Sequence, residues 1–125
     1  MCAFCESEAR LRSVIVTEHF YVIEDRAPVT EGHMLVISKA HRAHLFELTR
    51  HEWDDLGHAL ECARDHMHKV YDVSQCNVGT NVGEYAGQTV MHFHVHMIPR
   101  RKGDVENPRG GVRNLMKPLR ELVPE

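Results

Sequence analysis

Apolar residues recur at three- and four-residue steps between Arg50 and Tyr71, a period typical of one amphipathic helix. Six of them form a single stripe: Trp53, Leu56, Leu60, Ala63, Met67 and Val70. Thr49 stands immediately before this segment, and Glu52 follows three residues later. This is the spacing of a capping box, which satisfies free amides in the first turn. The pattern therefore predicts one long helix over residues 50–71.

Short runs with strand character lie on both sides of this helix. Five such runs are present, at residues 13–17, 20–24, 33–38, 76–82 and 92–99. We interpret them as an antiparallel meander with the helix packed across it. The predicted fold class is therefore α+β, with a sheet of about five strands.

The composition changes after Pro99. The segment RRKGDVENPRGGVRNLMKPLRELVPE is rich in arginine, glycine and proline and has no sustained period. We therefore expect a single domain over residues 1–104, followed by an extended tail over residues 105–125 that crosses the surface of the domain or of a partner subunit. A chain of 125 residues is long enough for one domain with its own core.

Charge and apolar content restrict the partners that we expect. The formal net charge of −3 gives no reason to expect broad nucleic-acid binding. No apolar run approaches the ~20 residues that span a bilayer, and the N-terminus lacks a basic start followed by an apolar block. We therefore expect a cytoplasmic protein without a membrane partner. In such a chain the C-x-x-C pair Cys2 and Cys5 is better interpreted as thiols or metal ligands than as part of a disulfide framework.

The most regular polar feature is a set of three histidines at every second position, His92, His94 and His96. Successive side chains of a strand point to opposite faces, so these imidazoles share one face. The other face carries Phe93, Val95 and Met97. We expect the apolar face to pack on the helix. The imidazole face should look into a cleft or solvent, because neutral imidazoles buried without partners leave polar nitrogens unsatisfied.

Three interpretations of the imidazole face compete. It can be a solvated strand face, a three-histidine zinc site that activates water, or a metal-free site in which one histidine is the nucleophile. The preceding segment favours the third interpretation. Gly83 and Gly87 allow backbone to come close to a ligand, and three residues offer neutral hydrogen-bonding groups that suit a phosphate: Asn81, Gln88 and Thr89.

The segment GQTVMHFHVHMIP, residues 87–99, resembles the signature of the histidine triad (HIT) family, His-φ-His-φ-His-φ-φ with φ apolar. The segment EDRAPVTEGHMLVISKAH, residues 24–41, resembles the first sheet region of that family, and the similarity extends from Cys2 to about Asp104. The resemblance implies a HIT-like fold with a short N-terminal helix. The segment HVHMIPRRKGD is similar to bacterial members and to the fragile histidine triad branch, the dinucleoside polyphosphate hydrolases. The nucleoside phosphoramidate hydrolases of the family are the alternative.

The resemblance implies nucleotidyl transfer chemistry. His94 would attack the α-phosphorus of a purine nucleotide and form a covalent nucleotidyl-histidine intermediate, which water or another acceptor resolves. Imidazole suits this role because its ordinary pKa near ~6.5 leaves it largely neutral at pH 7. His96 would contact the phosphate and the bridging oxygen, while Gln88 and Thr89 would donate to non-bridging oxygens.

The resemblance also implies substrate contacts. Asp25 would accept hydrogen bonds from the two ribose hydroxyls. Three further residues occupy ligand-contact positions: Asn81, His33 and Gly87. Apolar residues such as Phe4, Leu11 or Val22 would sandwich the base. A protein that binds nucleotides without catalysis is the alternative from a different functional class.

Many bacterial members with an N-terminal C-x-x-C bind structural zinc, and the corresponding ligands here are Cys2, Cys5, His41 and His92. Such a Cys₂His₂ set fills the tetrahedral shell of zinc and leaves no open catalytic position. His44 competes with His41 as the third ligand, and the spacing to the preceding strand favours His41. No organic cofactor is expected. The family pairs its subunits through the helix and a sheet edge, so the resemblance also implies a homodimer.

Overall fold

The computed structural model describes residues 2–116 and contains one antiparallel sheet and one long helix. The helices are α1 (Ser7–Leu11) and α2 (Arg50–Tyr71). The strands are β1 (Ile15–Val16), β2 (Phe20–Glu24), β3 (Met34–Ser38), β4 (Cys76–Gly79) and β5 (His94–Pro99). Single 3₁₀ turns lie at Leu45–Glu47, Glu84–Ala86 and Gly111–Arg113. The α+β class, the long helix and the short N-terminal helix are confirmed.

The strand order is β1-β2-β3-β5-β4, with every neighbouring pair antiparallel. The predicted meander is therefore wrong beyond β3, because β5 inserts between β3 and β4. Since β3 and β4 both run antiparallel to β5, they are parallel to each other, and parallel strands need a crossover, which α2 provides. The triad strand is thus an interior strand, with Ile37 opposite His94 and Leu35 opposite His96, while β4 lies at the sheet edge.

Strand β2 has the predicted bounds, but β1, β3, β4 and β5 are shorter than the runs that predicted them. At the start of β5, His92 and Phe93 precede the regular ladder. The Phe93 amide donates to the carbonyl of Arg42 (2.6 Å), which lies in the loop after β3. A loop contact of this kind replaces strand pairing without changing the alternation of side chains.

Helix α2 begins at the predicted cap. The Thr49 hydroxyl accepts from the Glu52 amide (3.2 Å), and the Glu52 carboxylate accepts from the Thr49 amide (2.7 Å). The apolar residues that the helix buries are Leu56, Ala59, Ala63 and Met67. Trp53 and Val70, two members of the predicted stripe, are 40% and 56% exposed. The small side chains of Ala59 and Ala63 let the helix approach the sheet, so the contact face centres on them rather than on the largest residues.

Both faces of the sheet carry apolar residues. The face under α2 includes Phe20, Val22, Phe93, Val95 and Met97, so the expected packing of the triad strand on the helix is confirmed. The opposite face carries Tyr21, Ile23, Leu35 and Ile37, covered by Ala9 of α1 and by Phe4. Val22 is fully buried under the helix, and its predicted contact with a base is therefore wrong.

The segment after β5 forms a hydrogen-bonded turn. Arg100 Nε lies 2.8 Å from a carboxylate oxygen of Asp104. The following residues bring the turn Gly111–Arg113 beside β4, and a part of the predicted tail, residues 117–125, lies outside the described residues. Within residues 2–116, no helix has both the length and the apolar character that a membrane crossing needs.

Candidate active site

His94 lies at the start of the interior strand β5 and is half-buried. Its Nδ1 is 2.8 Å from the carbonyl oxygen of His92. A carbonyl oxygen only accepts, so Nδ1 carries the ring proton of a neutral imidazole and Nε2 keeps its lone pair. The Thr80 hydroxyl donates to the His94 carbonyl (2.7 Å) and holds the residue from the neighbouring chain segment. The geometry therefore presents one nucleophilic nitrogen to a ligand.

His96 and His33 form a hydrogen-bonded pair beside His94. The Val29 amide donates to His33 Nδ1 (3.0 Å), so the proton of a neutral His33 lies on Nε2. His33 Nε2 is 3.0 Å from His96 Nδ1, which therefore accepts. The proton of His96 is left on Nε2, whereas that of His94 is on Nδ1. His94 thus presents a lone pair, and His96 presents an N–H.

Burial keeps this histidine pair neutral. It lowers the pKa of His33, while the Asp25 carboxylate acts in the opposite direction. Burial also lowers the pKa of His96, and the neighbouring His94 and His33 lower it further. Both rings are consequently neutral at pH 7, as the hydrogen bond between them requires.

Asp25 follows β2 and approaches the same pair. One carboxylate oxygen accepts from the Ala27 amide (3.0 Å), and the other lies 3.7 Å from His33 Nε2. Donor atoms of Asp25, His33 and His96 lie within 4.8 Å of one another, close enough to surround a cation. A cation there would have to displace the proton of His33, because the other nitrogen of that ring accepts from Val29. We therefore interpret this group as a hydrogen-bond network with a carboxylate acceptor at its edge.

Gln88 is buried in the loop that precedes β5. Its side-chain oxygen accepts from the Gly83 amide (2.9 Å). Its NH₂ group donates to the carbonyls of Ala43 (2.6 Å) and Val90 (3.0 Å). Both amide hydrogens are engaged with backbone, so the donation to a phosphate that the resemblance implies would require one of them to be released. In this geometry Gln88 shapes the loop.

The other predicted residues of this loop are exposed: Asn81, Gly87 and Thr89. Gly87 has a φ of 93°, in the left-handed region that favours glycine, and its amide closes a turn on the Glu84 carbonyl (3.0 Å). A Cβ at this position would meet no atom within 4 Å, so the backbone conformation, rather than lack of space, requires glycine. The loop therefore offers a hydroxyl and an amide side chain to a ligand.

A second polar cluster joins the N-terminus to the triad strand. Cys2 Sγ and Cys5 Sγ each lie 3.3 Å from His92 Nδ1, and Cys5 Sγ lies 3.1 Å from His41 Nδ1. His92 Nε2 is 2.7 Å from the Ser38 carbonyl, so that nitrogen carries the proton and Nδ1 presents its lone pair to the thiols. The four ligand atoms lie within 4.8 Å of one another. This donor set and protonation fit a tetrahedral Cys₂His₂ metal site.

The histidines that the sequence left in competition occupy different places. Of the two competing histidines, His41 joins the cluster, whereas His44 caps a 3₁₀ turn by accepting from the Phe46 amide (3.2 Å). His92 is fully buried with both ring nitrogens partnered, so the expectation that all three triad rings face a cleft is wrong for this one. Within residues 2–116, the triad rings do not together form a metal-ligand group, which argues against the three-histidine zinc site.

Three positioning groups were missed in the sequence. Ser38 accepts from His92, Thr80 braces His94, and the Val29 amide orients His33. A signal existed for Ser38, a polar residue that ends an otherwise apolar strand shortly before His41. No sequence pattern associates Thr80 with His94 or the Val29 amide with His33.

A family model described as the HIT domain matches residues 6–103, which is most of the chain. This protein belongs to the HIT family. The asymmetrical bis(5'-nucleosyl)-tetraphosphatase of Schizosaccharomyces pombe is 42% identical over 77 residues, which cover 62% of this chain and 42% of the relative. The adenosine 5'-monophosphoramidase of Saccharomyces cerevisiae is 35% identical over 103 residues, which cover 80% and 63%. This HIT chain thus spans less than two thirds of the length of either relative.

A solved structure of a zinc-bound HIT family protein from Mycobacterium smegmatis has the same fold. Its TM-score against this chain is 0.73 at 30% sequence identity, and the match covers 82% of this chain and 77% of the other. The relatives therefore include nucleotide hydrolases and a metal-bound protein. The zinc-bound protein shares both the family and the fold of this chain.

Proposed function

We propose that this HIT protein is a nucleotide hydrolase or nucleotidyl transferase that cleaves at the α-phosphate of purine nucleotides, such as dinucleoside polyphosphates, through a nucleotidyl-His94 intermediate. The supporting observation is the opposite protonation of two neighbouring rings, with a lone pair on His94 Nε2 and a proton on His96 Nε2. The ring centroids are 5.1 Å apart. A nucleophile and a hydrogen-bond donor at this separation suit displacement at a phosphorus atom held between them.

In the first step, His94 Nε2 attacks the α-phosphorus, and the bond from phosphorus to the leaving oxygen breaks. The His94 ring gains positive charge, which its Nδ1–H shares with the His92 carbonyl. His96 Nε2–H stabilises the departing oxygen by a hydrogen bond. In the second step, water attacks phosphorus, the P–N electron pair returns to His94, and the proton of water passes to solvent.

The nucleoside would be held beside this pair of rings. Asp25 retains an oxygen, 3.7 Å from His33, that can accept from ribose hydroxyls. The exposed Thr89 and Asn81, together with the glycine turn at Gly87, would contact phosphate oxygens. Gln88 would hold the loop that carries these residues in place through its bonds to three backbone groups.

The test is intact-protein mass spectrometry after a rapid alkaline quench, because alkali preserves a phosphoramidate bond. Wild type and His94→Ala are compared on diadenosine tetraphosphate, with His68→Ala, an exposed histidine of α2, as the matched control. We expect one adenylyl adduct on wild type and on His68→Ala and none on His94→Ala. Near wild-type turnover by His94→Ala would refute the mechanism.

Two alternatives give different results in the same experiment. A phosphoramidate hydrolase, supported by the 35% identity to the yeast phosphoramidase, would form the adduct faster from adenosine 5'-phosphoramidate than from diadenosine tetraphosphate. A protein that binds nucleotides without catalysis would bind AMP but turn over neither substrate.

We also propose that Cys2, Cys5, His41 and His92 hold a structural zinc ion. The support is the convergence of two thiols and two imidazole nitrogens, with the proton of His92 directed at Ser38. Zinc would cross-link the N-terminus to the triad strand. His94 and His96 lie outside this ligand set.

Two further proposals concern the setting of the enzyme. The edge strand β4, where Val78 is 42% exposed, could pair with the same strand of a second copy, which supports the proposed homodimer.

Within the described chain all four cysteines are free thiols, which supports the proposed location in the reducing cytoplasm.

A further inference from the structure

Phe4 lies between the two cysteines of the metal cluster and touches the nucleophile. Its ring centroid is 5.1 Å from that of His94 and 6.1 Å from that of His92, edge to face in both cases. The ring also packs against the apolar residues on the sheet face opposite α2. One aromatic side chain therefore connects the metal cluster with the reacting ring.

Few other contacts hold this part of the chain. The Cys5 amide donates to the Cys2 carbonyl (3.1 Å), and the Tyr21 hydroxyl donates to the Phe4 carbonyl. Residues 2–5 precede α1 and belong to no strand. The two thiols, which meet His41 and His92, are further anchors. Because they flank Phe4 on both sides, its position depends in part on whether these thiols are bound together.

We propose that Phe4 couples occupancy of the Cys2, Cys5, His41 and His92 cluster to nucleotide affinity. This inference rests on the proposed function. A metal ion held by both cysteines fixes the Phe4 backbone, and the ring then forms a rigid wall beside His94 against which a flat base can stack. Without the ion the Phe4 ring is no longer held in this position. Part of the free energy of nucleotide binding is then used to order the ring. By linkage, bound nucleotide must strengthen metal binding by the same free energy.

The experiment measures the dissociation constant of AMP by titration calorimetry for zinc-loaded and chelated protein. Three chains are compared: wild type, Phe4→Ala, and Phe46→Ala as a matched control. Phe46 is 71% exposed and its ring lies against His44, outside the cluster. We expect chelation to weaken AMP binding about tenfold in wild type and in Phe46→Ala, a typical coupling between two sites. In Phe4→Ala the two constants should agree within about twofold, because the connection is absent.

A second readout is the rate at which a chromophoric chelator removes zinc. AMP should slow this rate in wild type and leave it unchanged in Phe4→Ala. Phe4→Leu retains most of the side-chain volume without a flat ring, so it controls for a folding defect in Phe4→Ala. In Phe4→Leu, too, AMP should leave the rate of zinc removal unchanged. Circular dichroism of every chain confirms the fold.

The outcomes separate this inference from the proposed function. If loaded wild type does not bind AMP, the proposed function fails. If AMP binds but chelation has no effect, only the coupling is wrong. If the chain binds AMP but takes up no zinc, the coupling and the proposed zinc site are both wrong, and the nucleotide function stands. An equal effect of chelation in wild type and in Phe4→Ala would place the connection in His92 and β5 and overturn the role of Phe4.

Discussion

His94 and His96 stand two residues apart on one strand, and single hydrogen bonds give them different chemistry. The His92 carbonyl holds the proton of His94 on Nδ1. The Val29 amide donates to His33 Nδ1, so the proton of His33 is on Nε2 and points at His96 Nδ1. The proton of His96 is therefore on its Nε2. In each ring the partner of Nδ1 decides whether Nε2 carries a lone pair or a proton. The role proposed for each ring therefore depends on that partner.

His33→Ala tests this dependence. We expect kcat to fall about tenfold on substrates with a poor leaving group, because His96 loses the partner that keeps its proton on Nε2. A substrate with an acidic leaving group, such as adenosine 5'-(4-nitrophenyl) phosphate, needs little help at the departing oxygen and should be cleaved at nearly the wild-type rate. Steady-state kinetics on both substrates measures the difference. An equal loss on both would contradict the positioning role of His33.

At the scale of the element, α2 combines a local start signal with a buried charge. Glu52 is 2% exposed and lies 2.9 Å from Arg42 Nε, in addition to its bond to the Thr49 amide. Burial raises the pKa of Glu52, but the bonds from Thr49 and Arg42 outweigh burial and lower it overall. The stabilisation from this group is thus present above the unfolded pKa of ~4.3 and is lost as pH falls through the lower folded value.

Glu52→Ala should lower the free energy of unfolding by about 2–4 kcal/mol, since it removes the cap and leaves Arg42 without its partner. Glu61→Ala, at an exposed position of the same helix, should change it by less than about 0.5 kcal/mol. Urea denaturation at pH 7 measures both. A loss for Glu52→Ala as small as that of the control would mean that the capping box contributes little.

At the scale of the whole molecule, the N-terminus is attached to the triad strand by side chains rather than by strand pairing. Cys2 and His92 are 90 residues apart in sequence and 3.3 Å apart in space. A metal ion shared between them would close a loop that contains most of the domain. The binding free energy of such an ion adds to the free energy of folding.

Chelation should therefore lower Tm by several degrees, while kcat at saturating nucleotide persists as long as the chain stays folded. If zinc is the bound ion, elemental analysis should find it in wild type and find most of it lost in Cys5→Ala. Cys62→Ser, a half-buried cysteine of α2 outside the cluster, should retain it. Loss of kcat on chelation without any change in Tm would point to a catalytic metal instead.

Much of the fold could be predicted from local patterns. Helix α2 has the predicted bounds because its period, its cap at Thr49 and the partner Glu52 all lie within a few residues of one another. The alternation of polar and apolar residues in β5 is equally local. The order of the strands was not predictable in this way, because the insertion of β5 beside β3 depends on a crossover that a local pattern does not record.

The sequence by itself determined the α+β class, the helix, the alternating histidines and the cysteine pair, since each depends on spacing between near neighbours. Only the tertiary structure decided which histidine is buried, which ring nitrogen carries each proton, and that both amide hydrogens of Gln88 are used by backbone. It also placed Phe4 against His94. Some of these bonds are local, such as that of His94 to the His92 carbonyl. The others join residues far apart in the chain, such as His33 with His96, Gln88 with Ala43 and Phe4 with His94, and they exist only after the sheet has assembled.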